Sequence, residues 1–318
     1  MADTDRSRIA RAYRSFAEAA AAGSSPLYAT LSVSVAEDEL VLDLLESLPA
    51  DRRQPMLLFG AMAFLFGAPA GPEELHARIR DHGDRIREIM LARFTQTNEP
   101  GRCAALITAL GDIDGPVGLV EVGSSAGLCL YPDRYSYEFD GRPVGTPSAV
   151  HLTCATKGPV PVPDRLPDVV ARVGIDRNPL DPADPDDRAW LRALIWPGPN
   201  AAPRFERLDA AAAIAAAEPA TVLTGDLVER LPGALALLPA DCTPVVFHTA
   251  VLIYLERARR EEFAALVHSL GVRWIAQESG GVVPGTPRDL GSPADFVLSR
   301  NAEALALTAP HGGRIEWL

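Results

Sequence analysis

The chain of 318 residues contains a single lysine, Lys157, among 30 basic residues. That scarcity removes two enzyme classes at once. A P-loop needs a lysine on phosphate, and no GxxxxGK[ST] run exists. A pyridoxal-phosphate enzyme needs a Schiff-base lysine, and Lys157 stands in a Pro/Gly-rich stretch. Cysteine is scarce too. Cys103, Cys129, Cys154 and Cys242 form no CxxC or zinc spacing and no disulfide framework, so reduced and mostly buried thiols are expected. The six histidines show no HxxxH or HxH spacing, and no metal site is expected. Long apolar runs are missing: Met56–Ala70 is too short and glycine-punctuated to span a bilayer. Residues Met1–Phe16 lack the apolar core of a signal peptide. These readings give the expectation of a cytoplasmic protein without a membrane partner.

The formal charge is −12, from 42 acids against 30 bases. Acids spread along the chain disfavour a nucleic-acid partner, which needs a clustered basic surface, and favour a small-molecule one.

The first third reads as helical, over Arg6–Ala22, Ala36–Leu48, Arg53–Gly67, Glu73–Phe94 and Arg102–Leu110. The turn Ile113–Pro116 marks the expected boundary between a helical region, 1–112, and a second domain, 113–318. Beyond it, short apolar runs alternate with helices, as in an open α/β sheet. The runs are Val117–Val122, Val169–Ile175, Thr221–Leu223, Val245–His248 and Val272–Gln277. The helices are Asp186–Leu194, Arg207–Glu218, Leu227–Leu238 and Ala258–Leu270. Phe296–Ser299, Ala304–Thr308 and Arg314–Leu318 read as terminal strands, the last two joined by a turn at His311–Gly313. Tyr135–Phe139 alternates like an exposed hairpin. Residues 135–168 read as an insertion, with Gly141–Asp168 as a surface connection.

The most informative segment is Glu121-Val122-Gly123-Ser124-Ser125-Ala126-Gly127-Leu128. An apolar strand ends in an acid, and a turn of small residues follows, feeding an expected helix. Small residues let the backbone turn tightly and approach a ligand closely. A nicotinamide fingerprint would be GxGxxG, with its acid about 20 residues later. Here the acid stands two residues before the first glycine. That arrangement resembles motif I of class I methyltransferases, whose ligand is the cation S-adenosylmethionine. The resemblance implies cofactor contacts from Glu121, Gly123, Ser124, Ser125, Ala126 and Gly127. It implies a ribose-binding acid at the next strand end, Asp176, with Asp140 as the rival at the more usual distance. It implies an adenine contact at Gly225-Asp226-Leu227, and polar contacts from His248 and Thr249 at a fourth strand end. An ordinary strand-to-helix turn, a helix cap at Asp226 and a satisfied polar His248 are the plainer alternatives.

Further motifs widen the resemblance. They are Ser25-Pro26-Leu27-Tyr28, Thr95-Gln96-Thr97-Asn98-Glu99-Pro100-Gly101-Arg102, Gly174-Ile175-Asp176-Arg177-Asn178-Pro179-Leu180, Trp190-Leu191 with Trp196-Pro197, and His311-Gly312 with Trp317. With the glycine-rich turn, they identify the chain as resembling a bacterial domain-of-unknown-function family with a methyltransferase-like fold. The implied architecture is a Rossmann-like class I methyltransferase sheet, mostly parallel, with antiparallel C-terminal strands and an N-terminal helical region. Gln96, Thr97, Asn98, Glu99 and Arg102 are expected either to cap a helix or to form a polar clamp on a substrate. Tyr28 and Tyr254 are aromatic candidates for the same cleft, and Trp190 and Trp196 are expected to pack.

The implied reaction is methyl transfer to a small molecule, with His248 as first and Glu99 as second candidate base and Tyr254 beside them. Intramolecular cyclisation of the cofactor, releasing methylthioadenosine, is a second reaction the fold allows. A non-catalytic nucleotide-binding or scaffold protein is the alternative of a different class, since Ser125 replaces the usual middle glycine.

Overall fold

The computed structural model describes residues 5–21, 24–292 and 294–318; Ala22, the expected end of the first helix, lies outside them. In chain order the elements begin with six helices: α1 (Asp5–Ala21), α2 (Pro26–Val35), α3 (Glu39–Glu46), α4 (Pro55–Phe66), α5 (Pro72–Ala92) and α6 (Cys103–Leu110). Strands β1 (Pro116–Val122), β2 (Ser136–Phe139), β3 (Arg142–Val144), β4 (His151–Lys157) and β5 (Asp168–Asp176) follow. Next come α7 (Pro185–Ala193), α8 (Ala201–Ala217), β6 (Thr221–Thr224), α9 (Leu227–Leu235), β7 (Thr243–Thr249) and α10 (Arg257–Leu270). The last strands are β8 (Arg273–Ser279), β9 (Phe296–Arg300), β10 (Glu303–Thr308) and β11 (Arg314–Trp317). Among the described residues no helix is long and apolar enough to cross a membrane.

The chain divides into two compact units. The first comprises residues up to Thr97 together with Pro185–Glu206, and the second Asn98–Asp184 with Arg207–Leu318. The division thus precedes the expected one at Ile113. The reason is α6: all eight of its residues are buried, and it packs on β4 and β9.

The helical unit is held by caps and aromatic packing. Ser25 accepts a hydrogen bond from Tyr28 N and donates to Pro197 O at 2.6 Å, while Pro26 occupies the first helical position. Ser25-Pro26 is therefore a helix start. Asp38 caps α3 through Leu40 N and Val41 N and meets His76 Nδ1 at 2.6 Å. Tyr13, Tyr28, Phe59 and Trp190 are buried side chains of this unit. The Tyr28 ring lies 4.6 Å from Phe59, and Trp190 meets Phe64 edge-on at 5.8 Å.

The second unit is built on an eleven-stranded sheet of order β3-β2-β4-β11-β10-β9-β8-β7-β1-β5-β6. Strands β6, β5, β1, β7 and β8 are mutually parallel. A β8-β9-β10-β11 antiparallel meander continues the sheet. Val117, Leu119, Val120 and Val122 are all buried, as expected of a strand covered on both faces. One face packs on α9 and α10, where Val120, Val173, Val246 and Trp274 meet Leu231, Phe263 and Val267.

Residues 135–168 differ from expectation. β2 does form a hairpin with β3, but it also pairs in parallel with β4, and β4 joins β11. Tyr135, Tyr137 and Phe139 are buried, so the hairpin is a covered edge of the main sheet. The expected surface connection thus carries two strands. Asp140 sits in the hairpin turn at φ +48° and holds Thr156 N, which excludes it from the end of β5.

Trp190 Nε1 donates to Phe94 O at 2.9 Å and its ring tip faces Gly60. Trp190→Phe should cost about 1–2 kcal/mol through the orphaned carbonyl, and Trp190→Ala about 3–5 kcal/mol through the cavity. Urea denaturation measures both; no loss in Trp190→Phe would mean that the hydrogen bond contributes nothing, and equal losses would mean that the cavity adds nothing to it.

Candidate functional site

The chain runs from β1 outward through β5 and β6, then returns to β7 and β8 on the other side of β1. In an open parallel sheet such a reversal opens a crevice at the carboxyl ends of the two diverging strands. The glycine-rich turn lies there.

The turn is fastened to β5. Gly123 N and Ser124 N both donate to Ile175 O, at 2.7 and 3.1 Å. Ser125 N donates to Asp176 Oδ2 at 2.8 Å, and Asn178 N to Asp176 Oδ1 at 2.8 Å. Gly127 N donates to Ser124 O, and Leu128 N to Asn98 Oδ1 at 2.9 Å. Gly123 has φ +69°, and a Cβ there would lie 2.4 Å from Val251 Cγ2. Only glycine meets both demands. Ser125 and Ala250 adopt φ +52° and +57° without being glycine, so strained backbone stands at the ends of both β1 and β7.

The expected helix after this turn does not form. Leu128–Leu130 makes a single 3-10 turn. A helix would need an N–H at position 132 for Leu128 O, and that residue is Pro132. Side chains take over the carbonyls: Tyr135 OH donates to Leu128 O at 2.5 Å, Cys103 Sγ to Cys129 O and Arg172 Nη1 to Leu130 O at 3.1 Å.

Among the described residues the buried side-chain polar atoms left without partners are oxygens: Glu121 Oε2, Ser124 Oγ and Ser125 Oγ at this turn, Gln277 Oε1 and Glu278 Oε2 at the end of β8, and Tyr13, Tyr28, Asp133 and Ser299 oxygens elsewhere. Glu121 is 1% exposed. Burial pushes its carboxyl well above the ordinary range, with Cys129 and Asp176 adding to the rise and the Arg102 guanidinium opposing it. Parallel register places Glu121 beside Gly174, and Ser124 Oγ fills the space above that glycine.

The expected base at His248 is engaged on both ring nitrogens. An indole N–H only donates, so Trp274 Nε1 at 3.0 Å makes His248 Nε2 an acceptor. The ring proton then sits on Nδ1 and is given to Glu278 Oε1 at 2.8 Å. His248 is fully buried with both ring nitrogens engaged, the geometry of a satisfied polar residue. Glu99 is committed as well. Its Oε1 accepts from Gly101 N at 3.0 Å and Arg207 Nε at 2.7 Å, capping the 3-10 turn Pro100–Arg102. Arg102 Nε donates to Pro310 O, and Nη1 to the carbonyl and hydroxyl of Thr249. Asn98, Glu99 and Arg102 thus brace the turn and the end of β7. Gln96, Thr97 and Tyr28 belong to the helical unit. There Tyr28 is a 2% exposed core residue.

Asp226 is a helix cap, accepting from Val228 N at 2.9 Å. Burial alone would raise its pKa, but hydrogen bonds from Arg177, Val228 N and Arg259 overcome this and hold it below the usual carboxylate range. Gly225 lies under Arg230, and Leu227 joins the core under β1 and β5. Tyr254 ends the 3-10 turn Leu252–Tyr254 and is 62% exposed. Glu278 was not singled out from sequence. The signal was available, because an acid closes the apolar run Val272–Gln277 just as acids close β1 and β5.

Glu121 gives a stability prediction with a definite sign. Its pKa is higher folded than unfolded, so the folded state binds more protons once pH exceeds the unfolded value of about 4.3. Stability is therefore lost as pH rises from there through the folded value. Glu121→Gln should gain a few °C in Tm relative to wild type between about pH 4 and pH 8. A Tm difference independent of pH would contradict the assignment. Separately, ¹⁵N NMR should show the His248 ring proton on Nδ1 with Nε2 as the acceptor, and Trp274→Phe should shift the Nε2 resonance while Glu278 still holds the Nδ1 proton.

No curated protein and no solved structure matches the chain. The family model described as "Uncharacterized protein conserved in bacteria (DUF2332)" matches residues 10–317, and the chain belongs to that family.

Proposed function

We propose that the carboxyl end of the parallel sheet binds S-adenosylmethionine, and that the protein is an S-adenosylmethionine-dependent transferase acting on a small molecule, with methyl transfer as its reaction. The observation that carries this reading is the buried Glu121 carboxyl at the strand reversal, whose Oε2 is unpartnered, as are the Ser124 and Ser125 hydroxyls of the turn that follows. Such oxygens favour a ligand that brings positive charge and donors.

A nucleotide pyrophosphate fits less well. It needs open backbone N–H groups and a helix N-terminus. The N–H groups of Gly123, Ser124, Ser125 and Gly127 already have acceptors, and only a 3-10 turn follows. The same count favours a sulfonium cofactor over a nicotinamide one. When bound, that cofactor supplies an activated alkyl group, so the protein's task is positioning and exclusion of water. Glu121 would face its cationic part. Asp176, held by two backbone donors, would meet the ribose.

The engagement of both candidate bases, His248 and Glu99, favours acceptors that need no strong base. It also supports the second reading, a nucleotide-binding protein without turnover. Calorimetric titration with S-adenosylmethionine and S-adenosylhomocysteine tests the site. Saturable binding is expected, weakened about tenfold or more, ~1.4 kcal/mol, in Glu121→Gln. Mass analysis then separates the reactions. S-adenosylhomocysteine marks methyl transfer, methylthioadenosine marks cyclisation, and an unchanged cofactor marks the binding protein. Binding of neither nucleotide would overturn the proposal.

A further inference from the structure

Glu278 is 1% exposed and closes the apolar part of β8. Its Oε1 accepts three hydrogen bonds, from His248 Nδ1 at 2.8 Å, Val251 N at 2.7 Å and Leu252 N at 2.9 Å. Behind it, Trp274 fixes the His248 ring, so the carboxyl is held from two directions. Oε2 has no partner. A buried acceptor left unmet is a standing cost that a donor would remove.

The surroundings define that donor. The backbone N–H groups of Val251 and Leu252 are already committed to Oε1. Val251 covers Gly123, and next to it Ile253 and Tyr254 are 45% and 62% exposed. Oε2 therefore lies beside a short turn whose outer side chains are apolar and aromatic. A compact donor on a short apolar stem suits it, and positive charge matches the carboxyl.

We propose that Glu278 Oε2 anchors a primary ammonium group, making an aliphatic amine the class of molecule that this end of the sheet receives beside its cofactor. The proposal shares with the function above the assumption that the carboxyl end of the sheet is a ligand site. Its test uses no nucleotide, so the two can fail separately.

Thermal unfolding of the full chain with butylammonium chloride is compared with butanol and with butanoate, at matched ionic strength. Butylammonium should raise Tm by about 2 °C or more at concentrations far above its Kd, in wild type and in Glu121→Gln. Butanol and butanoate should not. The rise should vanish in Glu278→Gln. A rise that persists in Glu278→Gln, or one lost in Glu121→Gln instead, overturns the assignment. So does the absence of an ammonium-specific rise in wild type. Should Glu278→Gln fail to fold, the ¹⁵N resonance of His248 Nδ1 decides in wild type. It shares the Glu278 carboxyl and must move with butylammonium; an unmoved resonance sinks the idea.

Discussion

The carboxyl end of the sheet depends on how the Gly123–Gly127 turn is fastened to β5. Ile175 O takes two of its N–H groups, and the Asp176 carboxyl takes a third. A buried turn must satisfy its backbone groups or lose stability. Here the neighbouring strand does so, which fixes the turn's height above β1. The consequence is chemical. With these donors turned inward, the unmatched atoms at this end of the sheet are carboxyl, hydroxyl and amide oxygens.

The same turn redirects the chain. In a simple parallel crossover a helix would leave β1 and lead to β5. Pro132 removes one of the hydrogen bonds such a helix requires, and Tyr135, Cys103 and Arg172 satisfy the carbonyls instead. The chain can then travel to the far edge of the sheet, lay down β2, β3 and β4, and return as β5. The tyrosines of this excursion serve as caps as well as core: Tyr137 OH reaches Pro132 O at 2.6 Å. Burial keeps both Tyr135 and Tyr137 phenols above their ordinary range, which suits donors.

Two polar networks flank the glycine turn and divide the labour. On one side, Arg102 and Glu99 join the Pro100–Arg102 turn to Thr249, Pro310 and Arg207. On the other, Trp274, His248 and Glu278 form a buried series ending on an oxygen. Side chains that look like chemistry in isolation are engaged as supports here, and the oxygen that the second network ends on, Glu278 Oε2, is buried without a partner. Such buried networks specify geometry when complete and carry a cost where one member is left open.

The amino-acid pattern alone determined the five parallel strands, the terminal meander and the acid-x-Gly turn, because burial on both faces demands unbroken apolar runs and a tight turn demands small residues. It also carried the family, through short motifs along nearly the whole chain. Tertiary structure decided what pattern cannot express. Whether His248 is base or brace rests on Trp274, 26 residues away in sequence, and the role of Tyr28 rests on Phe59. The covered edge at β2–β4 was hidden because an alternating strand looks the same whether its apolar side meets solvent or another layer. Glu278 gained meaning only when three donors converged on one of its oxygens and left the other bare. Local spacing fixes elements, but hydrogen-bond satisfaction is a property of neighbours distant in the chain, and it is there that the site was made.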